Sequence, residues 1–349
     1  MRHQTEQTMQ NESGDFEICK EHLSRVSRTF ALNIRVLRGN AHRSLLLAYL
    51  LCRIADTIED DPRLPVPVKV AKLRQYADLF PPPSDRGSMI EPFLADLQLS
   101  QQNDDAALVA DMGRVFTEFV TLPLPLITSV SAHVREMALG MAALLEEKQG
   151  GTIIFLENRE ELDSYCYYVA GTIGLMITEI FDEASGRIDG ATKDKLLKRS
   201  VAFGLGLQIT NIAKDFFGDR ERGWCYVPRS LFAMEGIDPL TDPFYDHRES
   251  YTRVHKQLIR LALQYLDEAL QYMLDIPRTL IRYRLFCAWP LFMALETLAK
   301  LYGEERLFTG QVIKINRHDV RRIVRSTSIA VLSNQALRLL YSRTRRRIA

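Results

Sequence analysis

"LLLAYLLCRIADTIEDD", residues 45–61, runs from a segment built for burial straight into acid. Arg53 is the one charge before Asp56, and Glu59, Asp60 and Asp61 then follow almost together. On a helix Asp56, Glu59 and Asp60 stand at i, i+3 and i+4 and share one face, where like charges cost roughly a few tenths of a kcal/mol per pair. Buried without a counter-charge, each would cost far more. Such a cluster is either solvated at a helix end or neutralised by a cation.

A second stretch shifts that balance. In "LQITNIAKDFFGDRERGWCYVP", residues 207–228, Asn211, Asp215 and Asp219 recur at i, i+4 and i+8, with Gln208 one turn upstream. Ile209, Ile212, Phe216 and Phe217 fill the other faces. Two helices thus each carry an oxygen-rich face beside an apolar body. All-oxygen ligands suit Mg²⁺, which keeps several waters and bridges carboxylates to substrate phosphates. If the two faces oppose, they form a cation-filled seat for diphosphate above an apolar interior.

The rest of the chain is also helical in period and composition. Helices are expected near residues 16–37, 43–59, 67–79, 90–98, 104–119, 128–148, 160–184, 191–217, 229–234, 249–275, 278–303 and 317–342. Residues 1–14 read as disordered, and "PPPSDRGS" (81–88) and "EGIDPLTDPFYDH" (235–247) as connectors. No repeat or composition break marks a boundary, so one all-helical domain over 15–342 is expected, followed by a basic tail at 343–349. "FGLGLQ" (203–208) lacks a third glycine and a preceding strand, so it is no dinucleotide fingerprint. It reads as a helix surface making room for an apolar substrate chain.

A net charge of +1 over 349 residues excludes a general nucleic-acid binder. Five scattered cysteines without a C-x-x-C pair point to free thiols in a reducing compartment, the cytoplasm. The polar N-terminus is no signal peptide, and the longest apolar run falls far short of the ~20 residues a bilayer requires. The arginine-rich end, "ALRLLYSRTRRRIA", suits either a solvated tail or peripheral contact with anionic lipid.

"DTIEDD" (56–61) and "NIAKDFFGD" (211–219) resemble the paired aspartate-rich motifs of the squalene/phytoene synthase family. "SRTFA" (27–31), "YCYYVAGTIG" (165–174) and "FCAWPLFMALETLAKLY" (286–302) extend the resemblance over about residues 20–320, the last nearer the squalene-forming branch. The resemblance implies an all-α isoprenoid synthase fold with helices around a central apolar cavity. It implies Mg²⁺ on Asp56, Glu59, Asp60, Asn211, Asp215 and Asp219. Ser27, Arg28 and Arg53 would take the diphosphate, Tyr165 would assist proton removal, and Gln208 and Phe286 would line the substrate. The reaction implied is head-to-head condensation of two farnesyl diphosphates, then reduction by NADPH at Lys314 and Arg317. Asn316 stands where the family carries a basic residue, and Lys214 where an arginine is usual. "DRERGWCYVP" (219–228) has the rhythm of the phytoene-forming branch, which ends without NADPH. A non-catalytic helical scaffold of the same fold is the third reading. Oligomeric state is left open.

Overall fold

A computed structural model describes residues 2–348 apart from 83–86, 100–101 and 149–152, with side chains from residue 14 onward except that of Arg28. Of residues 1–14, expected to be disordered, the backbone from residue 2 is described as the start of the first helix, and the middle of the 81–88 connector lies outside the described residues. The chain divides into two compact units, residues 1–147 with 175–187, and residues 148–174 with 188–349.

The first unit contains α1 (Arg2–Val26), α2 (Arg28–Ile34), α3 (Gly39–Asp60), α4 (Val66–Ala77), α5 (Gly87–Ala95), α6 (Asp104–Ala110), α7 (Met112–Phe119) and α8 (Leu124–Glu147). Its axis is α3, which carries the opening sequence and packs against α1, α4, α6, α7 and α8. The Tyr76 hydroxyl donates to the Leu51 carbonyl at 2.8 Å, tying α4 to α3. Two expected helices are each broken in two. Ser27 has extended backbone, and its hydroxyl accepts from the Phe30 N–H at 3.2 Å, so it starts α2 instead of continuing α1. Asp111 interrupts the expected helix 104–119.

The second unit runs through β1 (Ile154–Phe155), α9 (Arg159–Cys166), a π-helical turn (Tyr167–Gly171) and the start of α10 (Thr172–Ser185). It continues with α11 (Gly190–Glu221), β2 (Trp224–Cys225), α12 (Arg229–Met234), α13 (Arg248–Asp275), α14 (Ile281–Leu301), α15 (Arg317–Ala330) and α16 (Asn334–Arg345). Among the described residues the two short strands are the only ones; they pair in parallel, Ile154 with Trp224 and Phe155 with Cys225. α11 and α13 pack along each other. The expected helix 317–342 breaks at residues 331–333, where Ser333 caps α16.

The glycines of α11 correct one expectation. A Cβ on Gly204 would fall 2.1 Å from the Ala170 carbonyl oxygen, and one on Gly206 would fall 2.8 Å from Leu266 Cδ2. "FGLGLQ" therefore makes room for the π-helical turn and for α13, not for an isoprenoid chain. Gly174 does the same from the other side, its Cβ position lying 2.1 Å from the Ser200 carbonyl oxygen. All five cysteines are free and buried. Among the described residues no helix is long and apolar enough to cross a membrane.

Candidate active site

From Ser44 to Glu59 every residue of α3 is buried except Tyr49, Arg53, Asp56 and Thr57. Tyr49, Arg53 and Asp56 follow at i, i+4 and i+7, so the core helix leaves one polar stripe uncovered. Arg53 donates to both Asp105 oxygens, Nε at 2.8 Å and Nη2 at 2.9 Å. Asp105 lies in the first turn of α6, whose start is fixed by the Asn103 side chain accepting from the Ala106 N–H. Tyr49 is hydrogen-bonded to Ser27, and its ring lies 4.9 Å from that of Phe30.

Below this stripe the acids are crowded. Burial pushes the Asp56 carboxyl up to about 7 against the opposing pull of Arg53, and Asp60 and Asp105 add to the rise. Glu59 is pushed well above the carboxylate range by burial, then by Asp60 and Asp56. Its Oε1 is buried with no hydrogen-bond partner. The opposing charge is Lys69, a buried lysine on α4 whose ammonium donates to the Glu59 carbonyl and whose own pKa is lowered by burial. Asp60 is exposed. Asp61 instead ends the helix, its carboxylate accepting from the Arg63 and Leu64 N–H groups at 2.9 and 3.1 Å.

In the second unit Asn211 is exposed, Asp215 half-buried and Asp219 buried along α11. Lys214 reaches Asp215 at 3.0 Å and Asn211 at 3.4 Å, so one ammonium ties two of the expected ligands. Arg222, just past the helix end, pairs with Asp219. Gln208 is half-buried one turn earlier. Tyr165 is buried at the end of α9, its ring stacked 4.5 Å from Tyr226, which in turn stacks 5.0 Å from Trp224. The π-helical turn directly after it is an uncommon conformation that often marks functional segments. A cavity of about 410 Å³ is lined by Phe216, Phe217, Arg220, Phe244, Tyr251 and Phe308 among others, so the aromatic pair after Asp215 faces a hollow of its own.

The remaining expected residues are dispersed. Phe286 is buried on α14. Lys314 and Arg317 are exposed, and between them Asn316 caps α15, accepting from the Asp319 N–H at 2.9 Å while Asp319 accepts in return from the Asn316 N–H. The side chain of Arg28 lies outside the described residues. Among the described residues no group of three or more His, Cys, Asp or Glu side chains forms a ready-made metal site. Asp105, Lys69, Tyr49 and Tyr226 escaped the sequence reading. Each is distant in sequence from its partner or sits on an apolar helix as an ordinary core residue would.

Residues 23–319 match the family model described as squalene/phytoene synthase. Squalene synthase from Homo sapiens is 26% identical over 302 residues, covering 86% of this chain and 67% of that one. Squalene synthase from Dictyostelium discoideum is 30% identical over 308 residues, covering 87% and 68%. The structure of TcSQS in complex with the ligand E5700 superposes with a TM-score of 0.78 at 22% identity, covering 96% of this chain and 98% of that one, which speaks for a shared all-α fold. With the family model spanning both acidic motifs, the chain belongs to the squalene/phytoene synthase family of prenyltransferases.

Proposed function

We propose that the protein joins two farnesyl diphosphates head to head into presqualene diphosphate and reduces that product to squalene with NADPH. The observation that carries the reading is the open stripe of α3. A helix this deep in a core is ordinarily apolar all round, and here the uncovered positions are Tyr49, Arg53, Asp56 and Thr57.

Bound Mg²⁺ would neutralise the charge that builds on a departing diphosphate. The orphaned Glu59 Oε1, with the Asp56 and Asp60 carboxyls, suits such an ion, which takes one or two carboxylates and fills its shell with water and phosphate oxygens. Asn211, Asp215 and Asp219 offer the same oxygen chemistry on α11, provided Lys214 and Arg222 share or release them. Asp105 fixes the plane of the Arg53 guanidinium and leaves Nη1 free to donate to diphosphate oxygens. By the family resemblance Arg28 and Ser27 would add further donors to the diphosphate. The stack on Tyr226 holds the Tyr165 ring, and its hydroxyl would assist the proton loss that closes the cyclopropane. Gln208 and Phe286 border the hydrocarbon, and Lys314 with Arg317 takes the phosphate of NADPH.

One observation favours a second reading, a dehydrosqualene or phytoene synthase that releases its product without reduction. Asn316 is committed to capping α15, so a residue the NADPH site would want basic does structural work instead. Purified protein incubated with farnesyl diphosphate and Mg²⁺, with and without NADPH, separates the two. Squalene formed only with NADPH supports the first reading. Dehydrosqualene formed in both reactions supports the second, and turnover of geranylgeranyl but not farnesyl diphosphate points to phytoene. No hydrocarbon from either substrate would overturn both.

A further inference from the structure

α15 and α16 both pack on α14 and on each other, and their inner positions are Ile323, Thr327, Leu337 and Tyr341. Opposite these, Arg321, Arg325 and Ile329 follow at i, i+4 and i+8 on α15, and Leu339 and Arg343 at i and i+4 on α16, with Arg346 just past its end. Ile329 is 74% exposed, Leu339 66%, and Leu332 in the turn between them 60%.

No acid occurs after Asp319, while eight arginines do. The neighbouring helices neutralise only some of them. Asp267 on α13 takes both Nε and Nη2 of Arg345, and Glu296 on α14 takes Arg347 and Arg322. Arg338 donates to the uncharged Gln271. Arg321, Arg325, Arg338, Arg343 and Arg346 are left exposed and, among the described residues, unpaired with an acid, so the outward face of the helix pair is a positive surface.

We infer that this face docks on an anionic lipid bilayer. Five arginines without local acids fit a layer of negative headgroups, each worth about fivefold in binding, and three protruding aliphatic side chains fit the acyl boundary beneath them. A polyanion such as nucleic acid would leave Ile329, Leu332 and Leu339 unused. A second copy would set one arginine face against another.

The test is co-sedimentation with vesicles of phosphatidylcholine alone or mixed equally with phosphatidylglycerol. The expected result is binding to the mixed vesicles only, lost in high salt. Arg321→Gln/Arg325→Gln/Arg343→Gln and Ile329→Ser/Leu332→Ser/Leu339→Ser should each weaken it about tenfold or more, with wild-type melting curves and wild-type turnover of detergent-dispersed substrate. Failure to bind the mixed vesicles, equal binding to neutral ones, or unchanged binding by both triple variants would overturn the inference. So would self-association, or nucleic-acid retention, that accounts for the face without vesicle binding.

Discussion

Arg53 and Asp105 meet through two parallel hydrogen bonds of 2.8 and 2.9 Å, joining the open stripe of α3 to the first turn of α6. A guanidinium held in this way presents its remaining donors in one fixed direction. Asp105→Asn keeps the shape but loses the charge that orients Arg53. It should raise KM for farnesyl diphosphate about tenfold or more while changing kcat less, and Arg53→Lys should do worse because an ammonium cannot form the fork. Steady-state kinetics checks both, and unchanged KM in both variants would show that Arg53 does not touch substrate.

The raised proton affinity of Asp56 implies a cost of keeping it there. Its folded pKa of about 7 lies above the ordinary 3.8, so the native state binds protons more readily than the unfolded chain. Stability contributed by this group is present at low pH and lost as pH rises toward 7. Without divalent cations Asp56→Asn should therefore melt about 2 °C or more higher than wild type at pH 8. The advantage should shrink in acid. A lower melting temperature at pH 8 would mean that the carboxylate is paired in a way the fold does not indicate.

His255 gives the opposite sign. It is buried, its Nε2 donates to the Ala213 carbonyl at 2.8 Å, and burial lowers its pKa below the ordinary 6.5. The unfolded chain takes up this proton first, so stability present above pH 6.5 is lost as pH falls through 6.5 toward the folded value. Titratable and charged residues packed nearby share the pH response, so the test is the difference between variants. His255→Gln should be less stable at neutral pH yet lose less stability on acidification, as read by chemical denaturation at several pH values. A parallel pH response would remove His255 as the source.

The crossing of α11 with the π-helical turn tolerates no side chain. Gly204→Ala would put a methyl group 2.1 Å from the Ala170 carbonyl oxygen, where backbone must move. Destabilisation of about 1–3 kcal/mol or more is expected, together with loss of activity if Tyr165 is carried out of place. Gly190→Ala, with nothing within 4 Å of its Cβ position, is the control and should melt like wild type. Equal melting temperatures for the two variants would contradict the packing.

Helical period made most elements legible, and the two acidic stripes stood out because like charges at helical spacing have no reason to follow an apolar run. What stayed hidden was non-local. Ser27 and Ser333 break expected helices by capping the next one, a role that a serine within a helical pattern does not announce. Asp105 reads as an ordinary helix-start acid until Arg53, 52 residues earlier in sequence, is seen on it. Lys69 reads as a surface lysine, yet it is buried against the Glu59 carbonyl. The glycines of "FGLGLQ" suggest room for an isoprenoid chain in the sequence, but tertiary packing fills that room with the π-helical turn and α13.

The proposed function requires the acids on α3, and separately those on α11, for Mg²⁺-dependent ionisation of a prenyl diphosphate. The deciding measurement is release of inorganic diphosphate from farnesyl diphosphate by wild type, Asp56→Ala and Asp215→Ala, with and without Mg²⁺. The expected result is Mg²⁺-dependent release by wild type and a fall of about 10²-fold or more in either variant, the scale of losing a charge-stabilising group. Near-wild-type release by either variant, or release by wild type indifferent to Mg²⁺, would rule that requirement out.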